Sequence, residues 1–136
     1  MAYEVTCSLY SMIVAPLLCQ VIGMLWYGPL FGSQWMVEAK VAPPKSPPVL
    51  PFALTIVSNF ITAFLMINIH HILGVATLQQ AFLVAWVYWV ATVSLRIPHY
   101  AFSAKSLRLF LIDSVFDVVI SIAVSAVVFK LHALKL

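Results

Sequence analysis

Residues 107–129 of the chain read LRLFLIDSVFDVVISIAVSAVVF, and the charged residues in this run are Arg108, Asp113 and Asp117. The run is long enough to span a hydrocarbon core, which takes about 20 apolar residues in a helix. It lacks the alternation of polar and apolar residues that is typical of strands in membrane barrels. We therefore predict a transmembrane α-helix here, because a helix satisfies its backbone hydrogen bonds within one segment.

Three further apolar stretches accompany this one, over residues 5–27, 51–73 and 78–95. The whole chain of 136 residues is 64% hydrophobic and 8% charged, and its mean hydropathy is +1.08. Soluble domains are about 45–50% apolar and about 25% charged, and small ones bury the least of their surface. The sequence thus predicts a single transmembrane domain over residues 1–136, an all-α integral membrane four-helix bundle whose partner is the lipid bilayer.

The connections between the helices are predicted from glycine, proline and aromatic residues. The aromatic stretch 28–35, which begins with Gly-Pro, is predicted to be a tight loop at the membrane interface. Five prolines between residues 43 and 51 predict a stiff, extended connector. Gly74 is expected to cap the second helix, and Pro98 is expected to end the third.

Two connections, residues 28–50 and 96–106, lie on the same side of the membrane in a four-helix topology. The basic residues on this side are Lys40, Lys45, Arg96, Lys105 and Arg108, and those on the opposite side are Lys130 and Lys135. Positively charged residues favour the cytoplasmic side. We therefore expect a multi-pass protein with both connections in the cytoplasm, and the sequence does not distinguish the endoplasmic reticulum from the plasma membrane.

Several function classes require residue patterns that the sequence lacks. No run of lysine and arginine indicates a nucleic-acid partner, and no phosphate-binding loop or nucleophile elbow is present. The histidines and cysteines lack the spacing of a metal site. His70 and His71, for example, would point about 100° apart on a helix. We therefore predict no nucleic-acid partner, no metal and no cofactor.

Asp113 and Asp117 are the strongest candidates for chemistry, since residues four apart share one face of a helix. A carboxylate within a membrane helix costs about 2.5–3.5 kcal/mol on insertion scales and usually faces the protein interior. We predict that both residues are catalytic acids or bases. The alternative is structural, with Asp113 near the interface and paired with Arg96 or Arg108.

In this topology the first and third helices end, and the second and fourth begin, on the same side of the membrane. Six further candidate residues lie in that half of the bundle. The predicted substrate-binding residues are Trp26, Tyr27, Asn59, Arg96, His99 and Arg108. With the two acids, they predict a pocket of aromatic walls and charged groups for a lipophilic small molecule with a polar head. The same residues also fit the ordinary polar end of a membrane bundle.

Two short elements of the sequence resemble a known signature. Residues 23–36 read GMLWYGPLFGSQWM, and residues 111–113 read LID. Together with the length and helix count, they resemble the small membrane proteins grouped as domain of unknown function 1761. The resemblance implies four membrane helices and a joint role for the stretch 28–35 and Asp113, but no reaction. The family often has glycine and an aromatic residue after this aspartate, whereas this chain has Ser-Val-Phe and then Asp117.

Three functions remain open from the sequence. The first is a cofactor-independent membrane enzyme, a cyclase or isomerase, that acts on a lipophilic substrate with an intramembrane aspartate as general acid or base. The second is a non-catalytic subunit or scaffold whose Asp–Arg pairs hold helices together. The third is a proton-coupled carrier, which with four helices would need to be a homo-oligomer such as a dimer.

Overall fold

The computed structural model describes residues 9–46 and 48–133, and its regular structure is helical. The elements are α1 (Leu9–Leu25), a π turn (Trp26–Leu30) that is kinked at the non-helical Gly28, α2 (Gly32–Ala39), α3 (Val49–Ile72), α4 (Leu78–Phe102) and α5 (Leu107–Ala133). No strand occurs in the described part of the chain. The all-α class predicted from the sequence is confirmed.

Four stretches of helix are long and apolar enough to cross a membrane: Leu9–Leu30, Val49–Ile72, Leu78–Phe102 and Leu107–Leu131. Only 17–28% of the most apolar window in each is buried within the chain, so most of these apolar side chains point outward. In water, such exposure costs about 25 cal/mol for each Å² of apolar surface. By the length and composition of its helices, the chain is a multi-pass membrane protein with four spans.

α5 is the central helix of the bundle, and α1, α3 and α4 all pack against it. α1 also packs against α3, whereas α3 and α4 contact each other at few positions. Small side chains at the contacts let the helix backbones approach closely. The buried residues of this kind are Ser11, Ala15, Ala63, Ala81, Ala85, Ser114, Ser121 and Ser125. Met66, Val124 and Val128 complete the core between the helices.

The turn between α3 and α4 follows from its residues. Gly74 is left-handed, with φ at 59°, and the N–H of Val75 donates to the carbonyl of His70 at 3.0 Å. This is a Schellman C-cap, which confirms the predicted cap at Gly74. The side chains of Thr77 and Gln80 then form a reciprocal capping box that starts α4.

α4 continues through Pro98, so the prediction that this proline ends the helix near residue 95 is wrong. Proline removes one backbone donor, and membrane helices tolerate this where neighbouring groups satisfy the freed carbonyl. The helix ends only after Phe102, where Ala104 turns left-handed with φ at 50°. The N–H of Lys105 closes this end by donating to the carbonyl of Tyr100 at 3.2 Å.

The stretch 28–35 begins with a sharp kink at Gly28, whose backbone is not helical, and continues as helix from Gly32, whereas the sequence predicted a tight loop throughout. It consists of the end of the π turn and the beginning of α2. The extended connector over residues 43–51 is shorter than predicted, because α3 begins at Val49 and takes Pro51 into its first turn. Residues 5–8 of the predicted first helix lie outside the described residues.

Candidate functional site

Asp113 is the point at which four elements of the chain meet. Its Oδ1 accepts hydrogen bonds from the Tyr27 hydroxyl at 2.8 Å and from the Trp35 indole N–H at 3.1 Å. Its Oδ2 accepts a hydrogen bond from the Tyr100 hydroxyl. The donors come from the π turn, α2 and α4, and the carboxylate comes from α5. We call these four residues the Asp113 cluster.

The π turn directs Tyr27 and Trp35 toward this carboxylate. The N–H of Phe31 donates to the carbonyl of Trp26 at 2.8 Å, a bond that spans one residue more than a bond in an α-helix. Gly28 within this turn has φ at −102° and ψ at −107°, so the chain kinks here and does not continue as a regular helix. The ring centroids of Tyr27 and Trp35 are 5.6 Å apart in an edge-to-face arrangement, so the two donors reach the same oxygen from adjacent positions.

Gly32 allows the chain to pass from the π turn into α2. The residue is buried, and a Cβ atom at this position would lie 2.4 Å from the carbonyl oxygen of Tyr27. Non-bonded carbon atoms favour separations of about 3.5–4.0 Å, so a side chain here would push the turn apart. The glycine is therefore required by the close approach of two backbone segments.

Phe116 of α5 forms an aromatic wall beside the cluster. Its ring centroid lies 4.9 Å from that of Tyr27 and 5.9 Å from that of Trp26. Trp26 also packs on Phe31, with a centroid distance of 4.6 Å. Aromatic pairs of this kind contribute about 0.5–1.5 kcal/mol beyond the area that they bury. The indole N–H of Trp26 is buried here and has no hydrogen-bond partner among the residues that the structure describes.

An ion pair lies one helical turn further along α5. The guanidinium of Arg96 on α4 is 2.6 Å from Oδ2 of Asp117, although the two groups are not aligned as a hydrogen bond. The Arg96 side chain is 31% exposed and the Asp117 side chain 19%, and the Oδ2 atom of Asp117 that faces Arg96 is itself buried. If both acids are ionised, Asp113, Asp117 and Arg96 together leave one uncompensated negative charge.

Three of the predicted binding residues lie outside this group. Asn59 of α3 donates to Gln20 Oε1 of α1 at 3.3 Å, which joins these two helices. Arg108 faces Glu38 of α2, with 3.7 Å between Nη1 and Oε1. His99 is exposed on α4, and neither acid has it as a hydrogen-bond or ion-pair partner in the described chain.

Asp113 does not have Arg96 or Arg108 as an ion-pair partner in the described chain, so the pairing expected by the structural alternative occurs at Asp117 and not at Asp113. Its described partners are two phenols and an indole, whereas Arg96 pairs with Asp117 and Arg108 with Glu38. The predicted residues that the structure does bring together are Trp26, Tyr27, Arg96, Asp113 and Asp117.

Two members of the cluster, Trp35 and Tyr100, are absent from the residues predicted as a site. Trp35 is the second tryptophan of the sequence signature, and its place in α2 depends on the π turn. Tyr100 lies beyond Pro98, in a stretch predicted as a loop. The spacing of four residues between Arg96 and Tyr100 could have indicated Tyr100. In a helix that continues through Pro98, this spacing places both side chains on the same face.

A second polar junction lies at the opposite end of the bundle. Nε2 of His70 on α3 is 2.7 Å from Oγ of Ser125 on α5, which donates to the carbonyl of Ala81 on α4 at 2.7 Å. Because a hydroxyl has a single proton, His70 is the donor to Ser125, and its Nε2 carries the proton. The three residues are at most 7% exposed, so this junction holds three helices together in the core.

The cluster offers a carboxylate, two phenols, an indole N–H and a nearby ion pair. The carboxylate can accept a proton, the phenols and the indole can donate hydrogen bonds, and the ion pair can stabilise a charge. Among the residues that the structure describes, no three histidine, cysteine, aspartate or glutamate side chains are grouped to hold a metal ion.

The family model described as protein of unknown function (DUF1761) matches residues 10–129 of the chain. The match takes in nearly all of the four spans and every residue of the Asp113 cluster. Searches among curated proteins and among solved structures give no match.

Proposed function

Since the chain belongs to the DUF1761 family, whose description gives no activity, we propose from the Asp113 cluster itself that this protein is a membrane-embedded enzyme. The reaction class is a cofactor-independent isomerisation or cyclisation of a lipophilic substrate, with Asp113 as general base and acid. The observation that carries the proposal is the convergence of two phenols and an indole N–H on one carboxylate within a membrane span.

The Asp113 carboxylate retains a position at which it can take a proton. An ionised carboxylate has about four lone-pair sites. Oδ1 already accepts two hydrogen bonds and Oδ2 accepts one. The remaining site is on Oδ2, where a C–H or O–H group of the substrate would deliver its proton.

The two tyrosines would stabilise the negative charge that this step leaves on the substrate. Once Asp113 is protonated, it attracts the hydroxyls of Tyr27 and Tyr100 less strongly. Either hydroxyl is then available to donate to the developing oxyanion, as in other sites that stabilise charge with fixed donors. Return of the proton to a different atom completes an isomerisation, and ring closure between the two transfers gives a cyclisation.

The Arg96–Asp117 pair would position the substrate beside Asp113. Arg96 is the more exposed member of the pair, so its guanidinium is available to the polar head of a ligand. Asp117 is engaged by Arg96 and acts in this proposal as a positioning residue. The aromatic wall of Trp26 and Phe116 would contact the apolar part of the substrate.

The test compares Asp113→Asn with the wild type in membranes incubated with a total lipid extract from cells that lack the gene. Mass spectrometry follows the loss of a lipid and the appearance of an isomer of the same mass. We expect Asp113→Asn to slow this conversion by about 10²–10⁴-fold, the usual contribution of a general base, in a variant that retains its helical content. Undiminished conversion by a folded Asp113→Asn variant would overturn the proposal.

A structural role is the second candidate, and the three hydrogen bonds that Asp113 accepts from its own chain favour it. In a scaffold, these bonds would tie the π turn, α2 and α4 to α5. Asp113→Asn would then lower Tm or assembly, and the wild type would convert no lipid. Proton uptake by vesicles that contain the wild type would instead indicate the carrier.

We further propose that the end of the bundle that carries the cluster faces the cytoplasm, as the lysine and arginine distribution favours. Single cysteines at Lys45 and Lys130, in a chain whose native Cys7 and Cys19 are replaced by serine, test this orientation. A membrane-impermeant maleimide added to intact cells is expected to label position 130 and not position 45. Labelling of position 45 alone would reverse the assignment.

A further inference from the structure

A groove separate from the Asp113 cluster lies between α2 and the beginning of α5. Its lining includes the apolar residues Val37, Leu111 and Ile112 and the polar residues Ser33 and Gln34. Its volume is about 580 Å³, within the range of about 300–1,000 Å³ that is usual for small-molecule sites. Because α2 follows one candidate membrane span and α5 contains the last, we expect the groove to lie at the boundary between hydrocarbon and headgroups.

The groove also carries two opposite charges, Glu38 and Arg108, in contact with the same space. The Nη1–Oε1 distance of 3.7 Å is too long for a hydrogen bond. Arg108 is 86% exposed and Glu38 is 20% exposed, so the guanidinium projects outward and the carboxylate lies deeper. Each group therefore keeps the capacity to bind a further partner of opposite charge.

We propose that this groove binds an ethanolamine phospholipid of the surrounding bilayer, with its phosphate on Arg108 and its primary ammonium on Glu38. Arginine suits a phosphate, because its planar guanidinium presents several N–H donors at once. A primary ammonium has three N–H donors for the carboxylate. The proximal part of an acyl chain would lie along Val37 and Leu111, which are 74% and 51% exposed.

The pattern of charges selects this headgroup over the other common ones. A phosphocholine headgroup carries the same charges, but its quaternary ammonium has no N–H to donate to Glu38. An anionic headgroup such as phosphoglycerol has a phosphate for Arg108 and brings no cation to Glu38, whose charge would repel it. Basic sites beside membrane helices bind lipid headgroups by the same electrostatics, and Glu38 adds the discrimination.

The experiment measures lipid binding to the purified full chain in detergent by native mass spectrometry, with phosphatidylethanolamine, phosphatidylcholine and phosphatidylglycerol of identical acyl chains. We expect the wild type to bind the ethanolamine lipid about tenfold more tightly than either of the others, which corresponds to about 1.4 kcal/mol. Arg108→Gln is expected to weaken binding of all three lipids. Glu38→Gln is expected to abolish the preference for ethanolamine and to improve binding of phosphatidylglycerol.

Lys130→Gln serves as the matched control, since it removes an exposed positive charge at the opposite end of the bundle and should leave the preference unchanged. Helical content and Tm report whether each variant is folded, and both groove substitutions affect side chains without hydrogen bonds in the described structure. Equal binding of the three lipids by the wild type, or an ethanolamine preference that survives Glu38→Gln, would overturn the proposal.

Discussion

Arg96 and Tyr100, one turn apart on α4, bind two different carboxylates that are one turn apart on α5. Arg96 pairs with Asp117 and Tyr100 donates to Asp113, so the earlier residue of α4 meets the later residue of α5, as antiparallel helices require. The two contacts fix how far α4 is displaced along α5. They also make the two acids unequal, because one has a cation as its partner and the other has neutral donors.

The Arg96–Asp117 pair predicts coupled effects of mutation. Arg96→Gln leaves a partly buried carboxylate without its cation and should lower the free energy of unfolding by about 1–3 kcal/mol. The lower part of this range is expected, because the Arg96 side chain is 31% exposed and its surroundings screen the charge. The double variant with Asp117→Asn removes both charges and should recover part of the loss in a detergent unfolding titration. Strictly additive losses would contradict the pairing.

Gly32→Ala should disrupt the turn that places Tyr27. The added Cβ would lie 2.4 Å from the Tyr27 carbonyl oxygen, and overpacking of this kind typically costs about 1–3 kcal/mol. Gly23→Ala is the matched control, because its Cβ would meet the Phe116 ring at an ordinary 3.7 Å. Thermal melts in detergent should show a clear drop in Tm for position 32 and none for position 23. A similar Tm for both variants would count against the close backbone approach.

Trp35 and Trp26 allow an indole N–H that donates a hydrogen bond in the described structure to be compared with one that does not. Trp35→Phe removes the N–H that donates to Asp113 at 3.1 Å, and hydrogen bonds to charged groups contribute about 1.5–3 kcal/mol. Trp26→Phe removes a buried N–H that has no hydrogen-bond partner in the described part of the chain. This substitution therefore reduces only the packing of the side chain. We expect the larger loss of Tm for Trp35→Phe. If Trp26→Phe is the more harmful substitution, the hydrogen bond to Asp113 is not important for stability.

The junction at the opposite end predicts a cost for loss of one hydroxyl. Ser125→Ala leaves both His70 Nε2 and the Ala81 carbonyl without this partner in the core, at about 1–3 kcal/mol for a buried unsatisfied group. Ser94→Ala is the control, because the exposed Ser94 hydroxyl donates within its own helix, to Ala91 at 2.8 Å. Unfolding titrations should separate the two variants. Nitrogen NMR of labelled histidine should find the His70 proton on Nε2, and an Nδ1 tautomer would contradict the assigned donor.

The four spans could be predicted from sequence because length and hydropathy alone decide whether a helix crosses a membrane. The acids of α5 could be predicted for a related reason, since a carboxylate in an apolar run is conspicuous and must face a partner. In both cases the signal is local, and no knowledge of the other helices is needed.

The partners of Asp113 could not be predicted in the same way. Trp35 reaches the carboxylate only because a π turn redirects the chain, and Tyr100 reaches it only because α4 continues through Pro98. The continuation of α4 depends on tertiary surroundings that override the usual tendency of proline, and the direction that the chain takes after the kink at Gly28 depends on the elements packed around it. The position of Glu38 could not be predicted either, because α2 is too short and too mixed in composition to indicate which of its sides faces α5.

The central position of α5 has a consequence for how the protein is made. The ribosome synthesises α1, α3 and α4 before it reaches the helix against which all of them pack. Until then Arg96 resides in a membrane helix without the carboxylate that compensates it, at the cost that an isolated charge carries in lipid. Synthesis of α5 therefore marks the moment at which loosely associated segments become one assembled unit, and translation products that lack α5 should be short-lived in cells.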